Sequence, residues 1–113
     1  MKRIVAFIKP NMLEDVVFAL HKVEGFAGAS ISEVKGIGCG MKDHVANHSR
    51  EAFHNFPAAV RIESVCVDEQ VEEIITAIEE HAHTGLPHDG KIYVSDVKQA
   101  VRIRTGERGE KAV

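Results

Sequence analysis

Lys91, Arg102 and Arg104 carry the clearest chemical signal in this chain, and each stands near glycine. The stretch Gly85-Leu86-Pro87-His88-Asp89-Gly90-Lys91 reads G-x-x-x-x-G-K, the opening of a phosphate-binding P-loop. It departs from that motif where the motif does its chemistry. Ile92 follows Lys91 where a hydroxyl for magnesium belongs, and the next residues alternate like a strand instead of starting a helix behind the phosphates. A glycine-flexed turn that ends in lysine still offers backbone N–H groups and an ammonium to an anion. Arg102 and Arg104 flank Ile103, and on a strand they share one face. Together with Lys91 they make a concentrated positive site suited to a di- or triphosphate, in a chain whose net charge is -3.

Histidine offers a competing chemistry. His44, His48 and His54 fall in one polar segment, with His44 and His48 spaced to share a helical face, while His81, His83 and His88 surround the end of an apolar periodic run. Imidazoles at such spacings can bind zinc or copper, but no paired-cysteine or H-E-x-x-H pattern accompanies them. Ser30, Ser32, Ser49, Ser64 and Ser95 lack a nucleophile motif, and Glu72, Glu73, Glu79 and Glu80 read as the solvated face of a helix. No catalytic residue is assigned, and an enzyme is not expected.

The elements that must position these residues follow from periodicity. Lys2 to Ile8 is a short apolar strand stopped by Lys9-Pro10. Leu13, Val16, Val17, Leu20 and Val23 then define a helical face, with Asn11 as expected N-cap and Gly25 as stop. Ala29 to Ile37 reads as a second strand, and residues 39–57 as a long loop of the kind that usually carries function. Val60 to Val67 alternates as a third strand. Asp68 is the expected cap of a second helix carrying Val71, Ile74, Ile75 and Ile78 and ending near Gly85. Lys91 to Val94 makes a fourth strand and Val101 to Arg104 a short fifth, before a charged and mobile tail from Gly106. The predicted fold is α+β, the ferredoxin-like β-α-β-β-α-β with an antiparallel sheet and both helices on one face. Copies of the chain are expected to cover the other face, making a homo-oligomer.

Composition bounds the rest. The 113 residues suit one domain, 1–113, that buries ~65% of its unfolded surface. With 5% aromatic residues, no Trp and 17 acidic against 14 basic residues, nucleic acid is not an expected partner. The apolar run at the amino end is too short for a signal peptide or a membrane helix, so direct membrane insertion is not expected. Cys66 lies in an apolar run and reads as a buried thiol. Cys39 sits between two glycines, with no C-x-x-C spacing between the pair, and a reduced cytoplasmic protein is expected.

The whole chain resembles the P-II signal-transduction family, the nitrogen regulatory proteins. The likeness runs through Lys9-Pro10, Glu33-Val34-Lys35-Gly36-Ile37-Gly38, Asp89-Gly90-Lys91-Ile92 and Val101-Arg102-Ile103-Arg104-Thr105-Gly106-Glu107. That resemblance implies a homotrimer with ATP or ADP, with or without magnesium, in clefts between subunits. It implies that Gly36 and Gly38 admit the nucleotide and that His88, Asp89, Gly90 and Lys91 form the phosphate turn. Glu63 belongs to the same implied set, and Arg102 and Arg104 come from the neighbouring subunit. The long loop would dock on an effector protein, including a membrane transporter or a nitrogen-metabolism target.

The departures from the family pattern are specific. Typical members carry a uridylylated Tyr in a stretch that is here Asn47-His48-Ser49-Arg50-Glu51-Ala52, and Ala52 has no hydroxyl. Gly40 stands for a Gln, and Ala59 for a Lys, that serve 2-oxoglutarate, so binding of that oxoacid is expected to be weak or absent. His88 stands for a Gly of the phosphate turn. The alternative from a different class is a metal-binding member tied to heavy-metal homeostasis or efflux, using His44, His48 and His54.

Overall fold

The structure, a computed structural model, describes residues 1–38 and 56–113. Strand β1 spans Lys2–Ile8, helix α1 Leu13–His21, β2 Ser30–Lys35, β3 Ala58–Cys66, α2 Val71–Ala82 and β4 Gly90–Asp96. The four strands form one sheet in the order β2-β3-β1-β4, with every neighbouring pair antiparallel. That order is the split β-α-β of the ferredoxin-like arrangement, in which β3 lies between β1 and β2. The expected α+β fold is the one observed.

Alternation decides which face of the sheet is buried. Ile4, Ala6 and Ile8 on β1 point the same way as Val60, Ile62 and Cys66 on β3, and all are buried. Val16 and Leu20 of α1 and Ile74 and Ile78 of α2 close over them. Each helix therefore spends its three- and four-residue apolar spacing on this one core. The Cys66 thiol is 1% exposed, and burial pushes its pKa up.

The opposite face presents Val5, Phe7 and Val65, all half-buried, and Tyr93, which is 54% exposed. Phe7 and Tyr93 meet edge to face with ring centroids 6.4 Å apart.

Local differences from the sequence expectations have local causes. Asn11 does not cap α1. It sits inside a 3-10 turn, Pro10–Met12, whose first residue is the proline that needs no N–H partner. Gly25, with φ +74°, turns the chain four residues beyond the end of α1. Asp68 opens a further 3-10 turn, Asp68–Gln70, without capping it; its carboxylate instead accepts the Met1 α-ammonium at 2.9 Å.

The expected fifth strand is reduced to one bridge, Val101 to Arg108. Gly106 takes φ +74° and donates its N–H to the Arg102 oxygen, while Arg102 N–H donates to Glu107 oxygen. The segment thus folds on itself and cannot add to the sheet, and Arg102 and Arg104 do not lie on a common strand face. The tail expected to be mobile is ordered as a 3-10 turn, Gly109–Ala112, and the Arg102 guanidinium donates to the Val113 backbone oxygen at 3.3 Å.

Candidate functional site

Between α2 and β4 the chain makes a turn organised around one carboxylate. Asp89 Oδ2 accepts the backbone N–H of Thr84 at 2.8 Å and of Gly85 at 3.0 Å. Asp89 Oδ1 accepts the Thr84 hydroxyl, and the Lys9 ammonium stands 3.1 Å from that oxygen. Lys9 also donates to Thr84 Oγ1 at 3.1 Å. Bonds from the Thr84 hydroxyl and amide, then from Lys9 and the Gly85 amide, hold the Asp89 carboxyl far below the usual carboxylate range, against partial burial. From behind, His83 Nδ1 lies 3.6 Å from Asp89 Oδ2.

The carboxylate of Asp89 is therefore committed to folding its own turn. What the turn presents outward is backbone, the His88 imidazole and the Lys91 ammonium. Gly90 makes the closure possible. Its φ is +112°, and a Cβ there would lie 1.7 Å from the Phe7 carbonyl oxygen. His88 also has left-handed backbone, with φ +71°, but carries a side chain.

This turn forms one wall of a cleft of about 560 Å³. The opposite wall is Gly36, Ile37 and Gly38 after β2, with Pro57, Ala58 and Ala59 entering β3; Gly36 N–H donates to the Pro57 oxygen at 3.0 Å. Phe7, Lys9 and Tyr93 complete the floor. Gly36, Gly38, His88, Asp89, Gly90 and Lys91, distant in sequence, thus line one cavity. A Cβ added at Gly36 or Gly38 meets no atom within 4 Å, so no contact among the described residues requires glycine there.

The other three candidates lie elsewhere on the chain. Glu63 sits on the open sheet face, with Arg61 Nη2 at 3.2 Å and Arg3 Nε at 3.8 Å. Arg102 pairs with Glu107 at 3.5 Å, and Arg104 is exposed in the turn beyond it. His44, His48 and His54, with Cys39, Gly40 and most of the long loop, lie outside the described residues. Among the described residues no group of three or more His, Cys, Asp or Glu side chains is placed to hold a metal.

The sequence marks Lys9 as the stop after β1 and as part of the family likeness, but the bonds that join Lys9 and Thr84 to Asp89 follow only from the closure of the turn onto the end of β1. Tyr93 and Phe7 were legible as strand residues, but their alignment across β1 and β4 depends on register.

The family model described as nitrogen regulatory protein P-II matches residues 1–107. The chain belongs to the P-II family. It is 46% identical to a nitrogen regulatory protein P-II of Azospirillum brasilense and 45% identical to that of Pasteurella multocida, in both cases across the full length of both chains. Among solved structures it resembles Arabidopsis thaliana PII bound to citrate, with a TM-score of 0.81 and 38% identity, covering 99% of this chain and 91% of that one. P-II proteins are regulators of signal transduction rather than enzymes. No helix of this P-II chain is long and apolar enough to cross a membrane, among the described residues. The fold explains why the motif at Gly85–Lys91 stops short of a P-loop: the glycine-lysine pair leads into β4 rather than into a helix.

Proposed function

We propose that this P-II chain binds ATP or ADP in the cleft between the 84–91 turn and the Gly36–Gly38 strand exit, and signals nucleotide state to an effector protein. The observation that carries the reading is the convergence of Lys9, Lys91, Gly36 and Gly38 on one cavity. The Lys91 ammonium supplies charge for phosphates beside Lys9, which is shared with Asp89, and the glycines leave the strand exit without side chains, so that backbone can approach a flat ligand. Magnesium would accompany the phosphates without a dedicated protein ligand among the described residues.

The proposal extends to assembly. The apolar stripe Val5, Phe7, Val65 and Tyr93 on the open sheet face suits burial against further copies, as in a homotrimer of single-domain subunits. Glu63 on that face, and Arg102 and Arg104 of a neighbouring subunit, would then complete the nucleotide site. Residues 39–57 are the proposed effector arm, and a membrane transporter or a nitrogen-metabolism protein is the proposed target. The metal-binding alternative gains no support from the described residues.

Ala59 lines the cleft where the family pattern has Lys, and its methyl cannot pair with a carboxylate. Nucleotide binding is therefore expected to ignore 2-oxoglutarate. The test is calorimetric titration with ATP and ADP, with and without magnesium and 2-oxoglutarate, on the wild type, Lys91→Ala and the double variant Arg102→Ala/Arg104→Ala. Saturable binding weakened by both sets of substitutions, in a particle of three times 12.4 kDa by light scattering, supports the reading. Nucleotide binding indifferent to Lys91 overturns it.

A further inference from the structure

His88 is the one non-glycine residue with left-handed backbone among the described residues, at φ +71°. That conformation is free for glycine and unfavourable for a residue with a Cβ. Gly85 and Gly90 show that the same turn uses glycine where its backbone turns left-handed. The imidazole of His88 is exposed, lines the cleft alongside Lys9 and Lys91, and has no hydrogen-bond or ion-pair partner among the described residues. The Asp89 bonds to Thr84 and Gly85 hold the turn in this shape, and strained backbone held in this way clusters at ligand sites.

We propose that His88 is a ligand-contacting residue of the anion cleft whose imidazolium adds a charge-assisted N–H donor to the bound phosphates, making nucleotide binding proton-linked. The inference deepens the nucleotide reading above and rests on it. The titratable and charged groups facing His88 can be named element by element. Lys9 comes from the end of β1, Lys91 and Tyr93 from β4 and Asp89 from the turn itself; residues 36–38 and 57–59 bring none. Asp89 is ionised but occupied by Thr84, Gly85 and Lys9. With Lys9 paired to Asp89 the cleft has an excess of one positive charge, and a further cation is favoured there once a polyphosphate has more than neutralised it. Binding would then take up a proton at the imidazole nitrogen, and affinity would be higher in acid than in alkaline solution.

The experiment is calorimetric titration of ADP at an acid pH of about 5.5 and an alkaline pH of about 8.5 for the wild type, His88→Gly and His83→Gln. Comparison at equal pH cancels protonation of ADP itself. Glycine keeps the turn geometry without its strain, so His88→Gly retains the fold. The wild type is expected to bind ADP about three- to fivefold more tightly than His88→Gly at the acid pH and equally at the alkaline one. Proton uptake, read from two buffers of different ionisation heat, should exceed that of His88→Gly. His83→Gln, altered behind the turn, should keep the wild-type profile. Identical pH profiles for wild type and His88→Gly overturn the inference while leaving the nucleotide reading intact. Loss of the pH dependence in His83→Gln instead also overturns it. Absence of ADP binding by the wild type at either pH overturns the nucleotide reading and this inference together.

Discussion

Lys9 Nζ stands 3.1 Å from Asp89 Oδ1, joining the residue that follows β1 to the residue that precedes β4. Both side chains are about one-quarter exposed, so the pair is only partly screened by solvent. Through it, the lysine that lines the cleft also holds the shape of the turn forming the cleft's other wall. Asp89→Asn keeps the size of the side chain but removes its charge and presents an amide to the Thr84 and Gly85 N–H groups. Backbone amides of Thr84 and Gly85 should then exchange with solvent markedly faster, while those of β1 and β3 remain protected. Unchanged protection at Thr84 and Gly85 would refute this account of the turn.

The same carboxylate sets an acid sensitivity. Its folded-state pKa is depressed below the usual carboxylate range, chiefly by the Thr84 hydroxyl and amide. A depressed pKa means that the stabilisation is fully present above the unfolded-state value. It is lost as pH falls from there through the folded-state value. Thermal denaturation should show the Asp89→Asn variant losing less stability than the wild type on acidification through and below the ordinary carboxylate range. Near neutral pH the variant should be the less stable of the two.

Gly90→Ala should damage the site through the fold. The added methyl carbon would sit 1.7 Å from the Phe7 carbonyl oxygen, and the backbone φ of +112° disfavours alanine. Relief requires β4 to part from the end of β1, at a cost on the order of 3 kcal/mol, read by denaturant unfolding. Gly36→Ala, which meets no atom within 4 Å, should unfold like the wild type; any loss of nucleotide affinity it shows reports on the cleft alone.

Ile74→Ala tests the core that supports both walls. Ile74 is 0% exposed between α2 and the sheet, and its truncation should cost about 2–5 kcal/mol in unfolding free energy. Because α2 ends where the turn begins, the variant should bind ligand normally at temperatures where it remains folded.

Much of the architecture was legible because period reports burial. Val16 and Leu20, four apart, and Ile74 and Ile78, four apart, announce helix faces. The alternation of Val60, Ile62 and Cys66 with Arg61, Glu63 and Val65 announces a strand covered on one side. End effects were not legible. Asn11 and Asp68 are residue types that cap helices, but each helix is entered through a 3-10 turn, and Asp68 found the Met1 ammonium instead. Val101 to Arg104 alternates like a strand, yet among the described residues its only bridge is to Arg108 on the same segment.

The residue types alone determined that the chain could make a glycine-lysine turn with an anion-binding character, and the motifs around Gly36, Lys91 and Arg102 were enough to indicate the family. Those properties are local: they depend on a residue and its near neighbours. Only the tertiary structure decided that Lys9 belongs with Asp89, that Gly36 and Gly38 face Lys91 across a cleft, and that Arg102 and Glu63 lie away from it within one chain. Such pairings are set by strand order and register, which depend on how the whole hydrophobic face is buried at once, and no short stretch of sequence carries that information.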